Sequence, residues 1–156
     1  MKFMRLFLLA FIYVLGVQVN SAQKLPSGIK SYLDRNYKGW QLSPSREECS
    51  SDVNPGFVSS DFSGDGNRDY AVKFIRGQRG YIIAFVKMKS TFKPFVLHNY
   101  TAEEVNTEAL SIWKKGSVFE NDNKKLRLKR DAPGDYFCDS DVGGIHYYQN
   151  GKFIGY

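Results

Sequence analysis

Residues that bind soft metal ions are scarce in this sequence. Its 156 residues include two cysteines and two histidines. A structural zinc site usually takes four ligands, mainly cysteine and histidine, and His98 and His146 lie far apart along the chain. We therefore expect no zinc site, and we expect both histidines to be ordinary residues of strands or of the surface.

Long apolar runs are missing after the first residues of the chain. The one such run, Leu6–Val17, follows two basic residues and precedes the small residues of Val19–Ala22. It is too short to span a bilayer, which takes about 20 apolar residues, and this order of segments is typical of a cleaved secretory signal. The pattern predicts a signal peptide over 1–22 and a single secreted or periplasmic domain over 23–156. It predicts no stable membrane insertion after cleavage, and an uncleaved anchor is the alternative.

A strong excess of basic charge is also missing. The formal net charge is +6, and the basic residues are scattered except for a run from Lys124 to Arg130. Leu126 and Leu128 alternate with basic residues there, which is typical of a half-buried strand whose charged side chains face water. We therefore expect no nucleic-acid partner.

The two cysteines, Cys49 and Cys138, predict one disulfide bond. A lone pair of cysteines in an exported chain usually forms a bridge, because the compartment is oxidising. A bridge across so long a segment would stabilise the fold by about 4 kcal/mol in the chain-entropy model. The alternative is a free nucleophilic thiol assisted by one of the two histidines.

Periodicity predicts an α+β fold. Apolar residues at helical spacing, including Ile29 and Leu33, indicate a helix that begins near Pro26 and covers a sheet. Thr101–Glu104 fits a capping box, which predicts a second short helix. The remaining pattern predicts an N-terminal helix packed on a mostly antiparallel sheet of about six to eight short strands.

Two turn signals organise the C-terminal half of the predicted sheet. Asn150-Gly151 is the strongest hairpin signal in the chain, because both residues tolerate positive φ. Asp131–Gly134 contains proline and glycine and is predicted to be a turn as well.

The acidic loop from Asp61 to Asp69 is the motif with the clearest chemistry. Calcium takes six to eight oxygen ligands, and a tight loop can supply them where glycines let the backbone bend. Counting from Asp61, the twelfth position is Val72, whereas an EF-hand has glutamate there. The loop is also followed by a predicted strand, whereas the EF-hand loop is followed by a helix. The expected ligands are the side chains of four residues and the backbone carbonyl of Asn67: Asp61, Ser63, Asp65, Asp69 and Asn67. The alternative is a metal-free turn rich in aspartate.

The stretch Ser60–Val72 resembles the calcium loop and following strand of FG-GAP or VCBS-type repeats, which are familiar from integrin propellers. Ser63 departs from that pattern, because an acidic or amide residue is usual there. The resemblance implies a structural calcium ion, and the single copy of the motif argues against a propeller or repeat array. The whole chain also resembles small exported bacterial proteins of no assigned activity.

Three functions are compatible with these features. The first is an exported, disulfide-bridged binding or structural module with a calcium-stabilised loop and no catalysis, whose partner is an unknown protein or a carbohydrate. The second is an inhibitor of a secreted enzyme that presents an exposed loop over Val53–Phe57. The third is a hydrolase that uses Asp135, Asp139 and Asp141 around Cys138, since glycosidases work with paired carboxylates. Asp131 and Asp135 are also candidates to reach the acidic loop.

Overall fold

The structure is a computed structural model, and it describes residues 24–43, 56–121, 124–138, 140 and 142–156. Several of the predictions fall on residues outside these ranges: the signal peptide 1–22, Cys49 of the predicted disulfide, Val53 of the predicted inhibitory loop, and Asp139 and Asp141.

Two short helices and eleven strands make up the described residues. The helices are α1 (Ser27–Asn36) and α2 (Ala102–Asn106). The strands are β1 (Gln41–Leu42), β2 (Phe57–Ser60), β3 (Asp69–Arg76), β4 (Arg79–Met88), β5 (Thr91–Thr101), β6 (Glu108–Trp113), β7 (Val118–Asn121), β8 (Lys124–Arg127), β9 (Ala132–Phe137), β10 (Gly143–Gln149) and β11 (Lys152–Gly155).

The described strands form three antiparallel sheets. The first sheet has the order β1-β3-β4-β5, and β2 pairs with β3 on the same edge as β1. The second sheet has the order β11-β10-β9-β6, and β7 and β8 form a hairpin of their own. The prediction of a mostly antiparallel fold with a few helices is confirmed. The predicted number of strands is lower than the observed number. Strands β1, β2 and β7 were missed because they are very short and lie in segments without a clear alternating pattern.

Helix α1 covers one face of the first sheet. Ile29 and Leu33 are fully buried against apolar residues of β3 and β4, among them Phe74 and Phe85. The helix lies where the spacing of these apolar residues predicts it, because this stripe is its one buried face.

The other face of the first sheet carries α2 and the second sheet. Thr101 caps α2 as predicted: its hydroxyl accepts from the Glu104 N–H at 3.2 Å, and the Glu104 carboxylate accepts from the Thr101 N–H at 2.8 Å. A Cβ at Gly80 would lie 2.4 Å from the Val105 side chain, so α2 rests directly on the backbone of β4. Ile82, Val105 and Leu110 form the small core between these layers.

Strand β9 corrects the predicted turn over Asp131–Gly134. Its residues pair with β6 on one side and with β10 on the other, and the β10 pairing stops at Gly134, so Pro133 pairs only with β6. A Cβ at Gly134 would lie 2.7 Å from the Trp113 ring and 2.9 Å from the Gly144 carbonyl oxygen. This glycine therefore permits close packing inside a sheet, and β9 places Asp135 at the centre of the second sheet.

Two further features shape the edges. Asn150 and Gly151 have φ of 52° and 78°, and they connect β10 and β11 as the hairpin signal predicts. Pro94 lies inside β5, the outer strand of the first sheet. Within the described ranges, neither helix has the length and apolar character that crossing a membrane requires.

Candidate functional site

Three strands from two sheets bring their polar side chains together. His98 of β5 lies opposite Ile82 of β4, so it shares the face that looks toward the second sheet. Asp135 lies on β9 and His146 on β10. The His146 Nε2 is 2.7 Å from Asp135 Oδ1, and the His98 Nε2 is 3.9 Å from Asp135 Oδ2. We call these three residues the His–Asp–His cluster.

The cluster is largely removed from solvent. Asp135 and His146 are 7% and 6% exposed, whereas the His98 side chain keeps about a third of its surface in contact with water. The two imidazole rings meet edge to face at 4.7 Å between centroids. The cluster is therefore reached from the His98 side.

Tyr100 contacts two residues of the cluster, Asp135 and His98. Its hydroxyl donates to Asp135 Oδ2 at 3.4 Å, and its ring stacks on His98 at 4.7 Å between centroids. Burial raises the pKa of the Tyr100 hydroxyl, and the charges of Asp135 and Glu108 raise it further. Tyr100 therefore stays a protonated donor that orients the carboxylate.

Burial also controls the protonation of His98. Desolvation lowers the pKa of this imidazole, and the neighbouring Asp135 opposes that effect only in part. A lower pKa favours the neutral ring at neutral pH, which is the form that can ligate a metal ion.

The cluster has the composition of a metal site. One ligand atom from each residue can be chosen so that all three lie within 4.8 Å of one another. In the part of the chain that the structure describes, this is the one group of three or more histidine, cysteine or acidic residues that converges in this way. Two imidazoles and a carboxylate suit zinc and related transition metals.

The polar layer continues inward from the cluster. Glu108 is 1% exposed, and burial followed by the charge of Asp135 raises the pKa of its carboxyl group to about 7, against smaller lowering by Tyr100 and Lys73. Lys73 is fully buried, and its ammonium group donates to the carbonyl oxygens of Val105, at 3.2 Å, and of Glu108. Ionisable groups thus extend from the solvent side of His98 to the centre of the fold.

A cavity of about 370 Å³ opens beside the cluster. Its walls include the three cluster residues, the backbone of Gly143, Gly144 and Gly155, and the side chains of Val142 and Tyr156. Gly155 lies opposite His146 in the hairpin, and the absence of a side chain there keeps the space beside the imidazole open.

The acidic loop is closed by its own aspartates. Asp61 Oδ1 accepts from the N–H groups of Gly64 and Asp65 at 2.7 and 3.1 Å, and its Oδ2 accepts from Gly66 at 2.9 Å. Gly64 and Gly66 have φ of 79° and 84°. The backbone therefore bends at the two glycines, which place these donors around one carboxylate.

The other two aspartates of the loop face in different directions. Asp69 is fully buried and accepts from the N–H groups of Ser63 and Lys87 at 2.7 and 2.8 Å, while burial raises its pKa. Asp65 is exposed and accepts from the Asn67 N–H at 2.8 Å, a bond that lowers its pKa. None of the loop aspartates belongs to the converging set described above, and calcium binding by the loop stays a prediction.

Two neighbouring residues just before β9, Arg130 and Asp131, connect the acidic loop region to the second sheet. Arg130 donates to the Ser63 carbonyl oxygen. Asp131 accepts from the Ser60 hydroxyl at 2.5 Å, and it also accepts from the Lys114 ammonium and the Lys115 N–H. Of the two aspartates considered as neighbours of the loop, Asp131 therefore reaches the segment before it, whereas Asp135 belongs to the His–Asp–His cluster.

Two further candidate residues, Cys138 and Phe57, lie in the described ranges. Cys138 directly follows β9, and its N–H donates to the Thr107 carbonyl oxygen at 3.0 Å. The Cys49–Cys138 bridge stays a prediction because Cys49 is outside the described ranges. Phe57 is 3% exposed and packs in the core under α1, so it cannot serve as the tip of an exposed inhibitory loop.

The sequence analysis missed the His–Asp–His cluster. His146 lies in a strand, one of the two expected places, but it is buried. The available signal was a polar residue within the apolar and aromatic stretch Ile145–Tyr148. Its partner His98 comes from the other sheet. Spacing along the chain does not report such a contact, because it depends on how two sheets pack.

No known protein family, curated protein or solved structure matches this chain. The likeness of the acidic loop to FG-GAP repeats therefore stays a prediction.

Proposed function

We propose that this chain is a small binding protein that holds one divalent transition metal ion, with zinc as the reference ion, in the His–Asp–His cluster. The observation that carries the proposal is the convergence of the three ligand atoms within 4.8 Å between two sheets. Asp135 and His146 already pair at 2.7 Å, and a metal ion would replace that pairing with bonds that also include His98.

The surroundings of the cluster support the same proposal. A ligating carboxylate is usually fixed by a second hydrogen bond, and Tyr100 supplies one to Asp135 Oδ2. His98 belongs to the first sheet, whereas Asp135 and His146 belong to the second. A bound ion would therefore join the sheets. This role agrees with the expected exported binding or structural module, which we retain as the general class of the protein.

Metal binding is tested by titrating untagged protein with zinc in a calorimeter, with a chelator of known affinity as competitor. We expect one ion per chain, and we expect His98→Ala and His146→Ala each to weaken binding by at least tenfold, because each removes one of three ligands. Glu120→Gln is the matched control, since Glu120 is an exposed carboxylate paired with Lys125.

Two results would refute the metal proposal. One is a wild-type protein that binds no zinc at micromolar concentration. The other is zinc binding that both histidine variants retain unchanged, because the ion would then lie elsewhere.

Calcium binding at the acidic loop is a second and separate proposal. It is favoured by the bends at Gly64 and Gly66 and by the exposed carboxylate of Asp65. It is also favoured by charge, because three aspartates so close in sequence repel one another without a cation. The ion would support the loop and the hairpin that follows it. The inhibitor and hydrolase alternatives have no comparable observation in their favour.

A further inference from the structure

We propose that the metal ion in the His–Asp–His cluster keeps an open coordination position, and that this position takes a small carboxylate ligand with a short apolar tail from the adjoining cavity. This inference rests on the proposed metal binding. It differs from it in treating the ion as a ligand-accepting centre and not only as a clamp between sheets.

The number of ligands leaves a position open. Structural zinc sites usually have four protein ligands, whereas zinc sites that bind exogenous groups have three and leave the fourth position to water or a ligand. In the described part of the chain, no fourth histidine, cysteine or acidic residue joins the converging set. The Tyr100 hydroxyl also lies beside the cluster, and it is directed to Asp135 Oδ2.

The cavity gives an exogenous ligand a route to the ion. Its volume of about 370 Å³ lies at the lower end of the range for small-molecule sites, about 300–1,000 Å³. All three cluster residues are part of its wall. A Cβ built at Gly155 would meet only the His146 Nδ1, at 4.0 Å, so the space in front of this glycine is open.

Charge selects the ligand class. A divalent ion bound by two neutral imidazoles and one carboxylate keeps a formal positive charge, and oxygen anions bind such ions well. None of the described residues that line the cavity is lysine or arginine, so the ion would supply the positive charge that attracts an anion there. A ligand with a single negative charge would neutralise the site.

The rest of the wall selects the tail of the ligand. Phe137 and Val142 contribute apolar surface, and the glycines contribute backbone. A hydrocarbon tail of a few carbons can remove part of this surface from water, at about 25 cal/mol for each Å² of apolar area. Butyrate has the required charge and size, and butyramide is a neutral compound of nearly the same shape.

The test uses the cobalt(II)-loaded protein, whose visible absorption reports the coordination of the ion. We expect butyrate to shift the cobalt bands in a saturable way and butyramide to leave them unchanged. In Gly155→Val the new Cβ makes only an ordinary contact with His146 and the two methyl groups enter the cavity, so the variant, once loaded with cobalt, should need at least tenfold more butyrate. Val142→Phe, at an exposed position beside the cavity, provides a second blocking variant should Gly155→Val fold poorly.

Each outcome bears on one proposal. If cobalt binds but butyrate does not shift its absorption bands, or if butyrate only removes the metal from the protein, the carboxylate inference is wrong and metal binding stands. If both blocking variants respond to butyrate as the wild type does, the anion binds outside this cavity and the inference is again wrong. If cobalt and zinc do not bind at all, the proposed function fails, and the carboxylate inference fails with it.

Discussion

Asp135 divides its two carboxylate oxygens between partners from different sheets. Oδ1 meets His146 of β10, and Oδ2 accepts from Tyr100 of β5 with His98 3.9 Å away. A single buried side chain thus connects every group of the cluster. Its position is determined by Gly134, the preceding residue, which allows β9 to lie close to Trp113.

Glu108 gives a pH dependence that can be measured without metal. The native state raises the pKa of this carboxyl from 4.5 to about 7, so the folded protein holds the proton more tightly than the unfolded chain. Stability should therefore fall as the pH rises from about 4.5 to about 7. Glu108→Gln should remove this loss and be more stable than the wild type at pH 8, by about 1 to 3 kcal/mol.

Chemical denaturation of the apoprotein at pH 5 and pH 8, in the presence of a chelator, measures this difference. Glu120→Gln, which removes an exposed carboxylate, should behave as the wild type at both pH values. An equal effect of Glu108→Gln at pH 5 and pH 8 would contradict the argument.

Asp65 is the residue at which to test calcium. Its carboxylate is exposed, and its bonds, such as that from the Asn67 N–H, stay within the loop, so Asp65→Ala should leave the metal-free fold nearly intact. Calcium should raise the thermal midpoint of the wild type, and this rise should be absent in Asp65→Ala. Asp61→Ala is a poor substitute, because it would leave three backbone N–H groups without their acceptor.

The calcium experiment has a clear negative result. If calcium moves neither midpoint, the loop is a metal-free turn held by its own hydrogen bonds. Magnesium at the same concentration serves as the ionic control, since it prefers a smaller and more rigid oxygen site.

At the level of secondary structure, the packing of β9 predicts a strong effect of one methyl group. Gly134→Ala would place a Cβ 2.7 Å from the Trp113 ring and 2.9 Å from the Gly144 carbonyl oxygen, and overpacking of this kind costs about 1–3 kcal/mol. Gly155→Ala is the matched control in the same sheet, because its Cβ would meet only His146, at 4.0 Å. Urea denaturation should show a lower midpoint for Gly134→Ala and little change for Gly155→Ala. Similar midpoints would mean that β9 is not packed this closely.

The elements that could be predicted are those with local causes. The stripe of Ile29 and Leu33, the capping box of Thr101 and the turn at Asn150 each depend on neighbours a few residues away, and each was found where it was expected. β9 was missed because proline and glycine usually mark turns, whereas here Gly134 accommodates a tryptophan from another strand.

The candidate site was hidden for a related reason. His98 and His146 approach each other only because β5 and β10 face one another across two sheets, and nothing in their sequence spacing encodes that arrangement. The acidic loop was visible because its candidate ligands, from Asp61 to Asp69, lie within nine consecutive residues. Contiguous motifs are therefore overrepresented in what a single sequence reveals.

At the level of the whole molecule, metal binding should stabilise the contact between the two sheets. A ligand that binds only the folded state adds about 2.7 kcal/mol to the free energy of unfolding when its free concentration is about a hundred times its dissociation constant. Zinc should therefore raise the thermal midpoint of the wild type by several degrees and that of His98→Ala by clearly less, because His98 is the one ligand in the first sheet. A scanning calorimeter with and without zinc measures both, and an equal rise in the two proteins would place the ion outside the cluster.

Pro94 affects how copies of the chain meet. It lies within the outermost strand of the first sheet. A proline has no backbone N–H, so it interrupts the row of donors along an edge strand, which is where prolines in sheets are usually found. The exposed Lys93 beside it adds a charge to the same stretch of edge. Edge prolines and lysines are common devices against sheet-to-sheet aggregation. The open side of the first sheet is thus protected against polymerisation by the residue that would otherwise look out of place in a long strand.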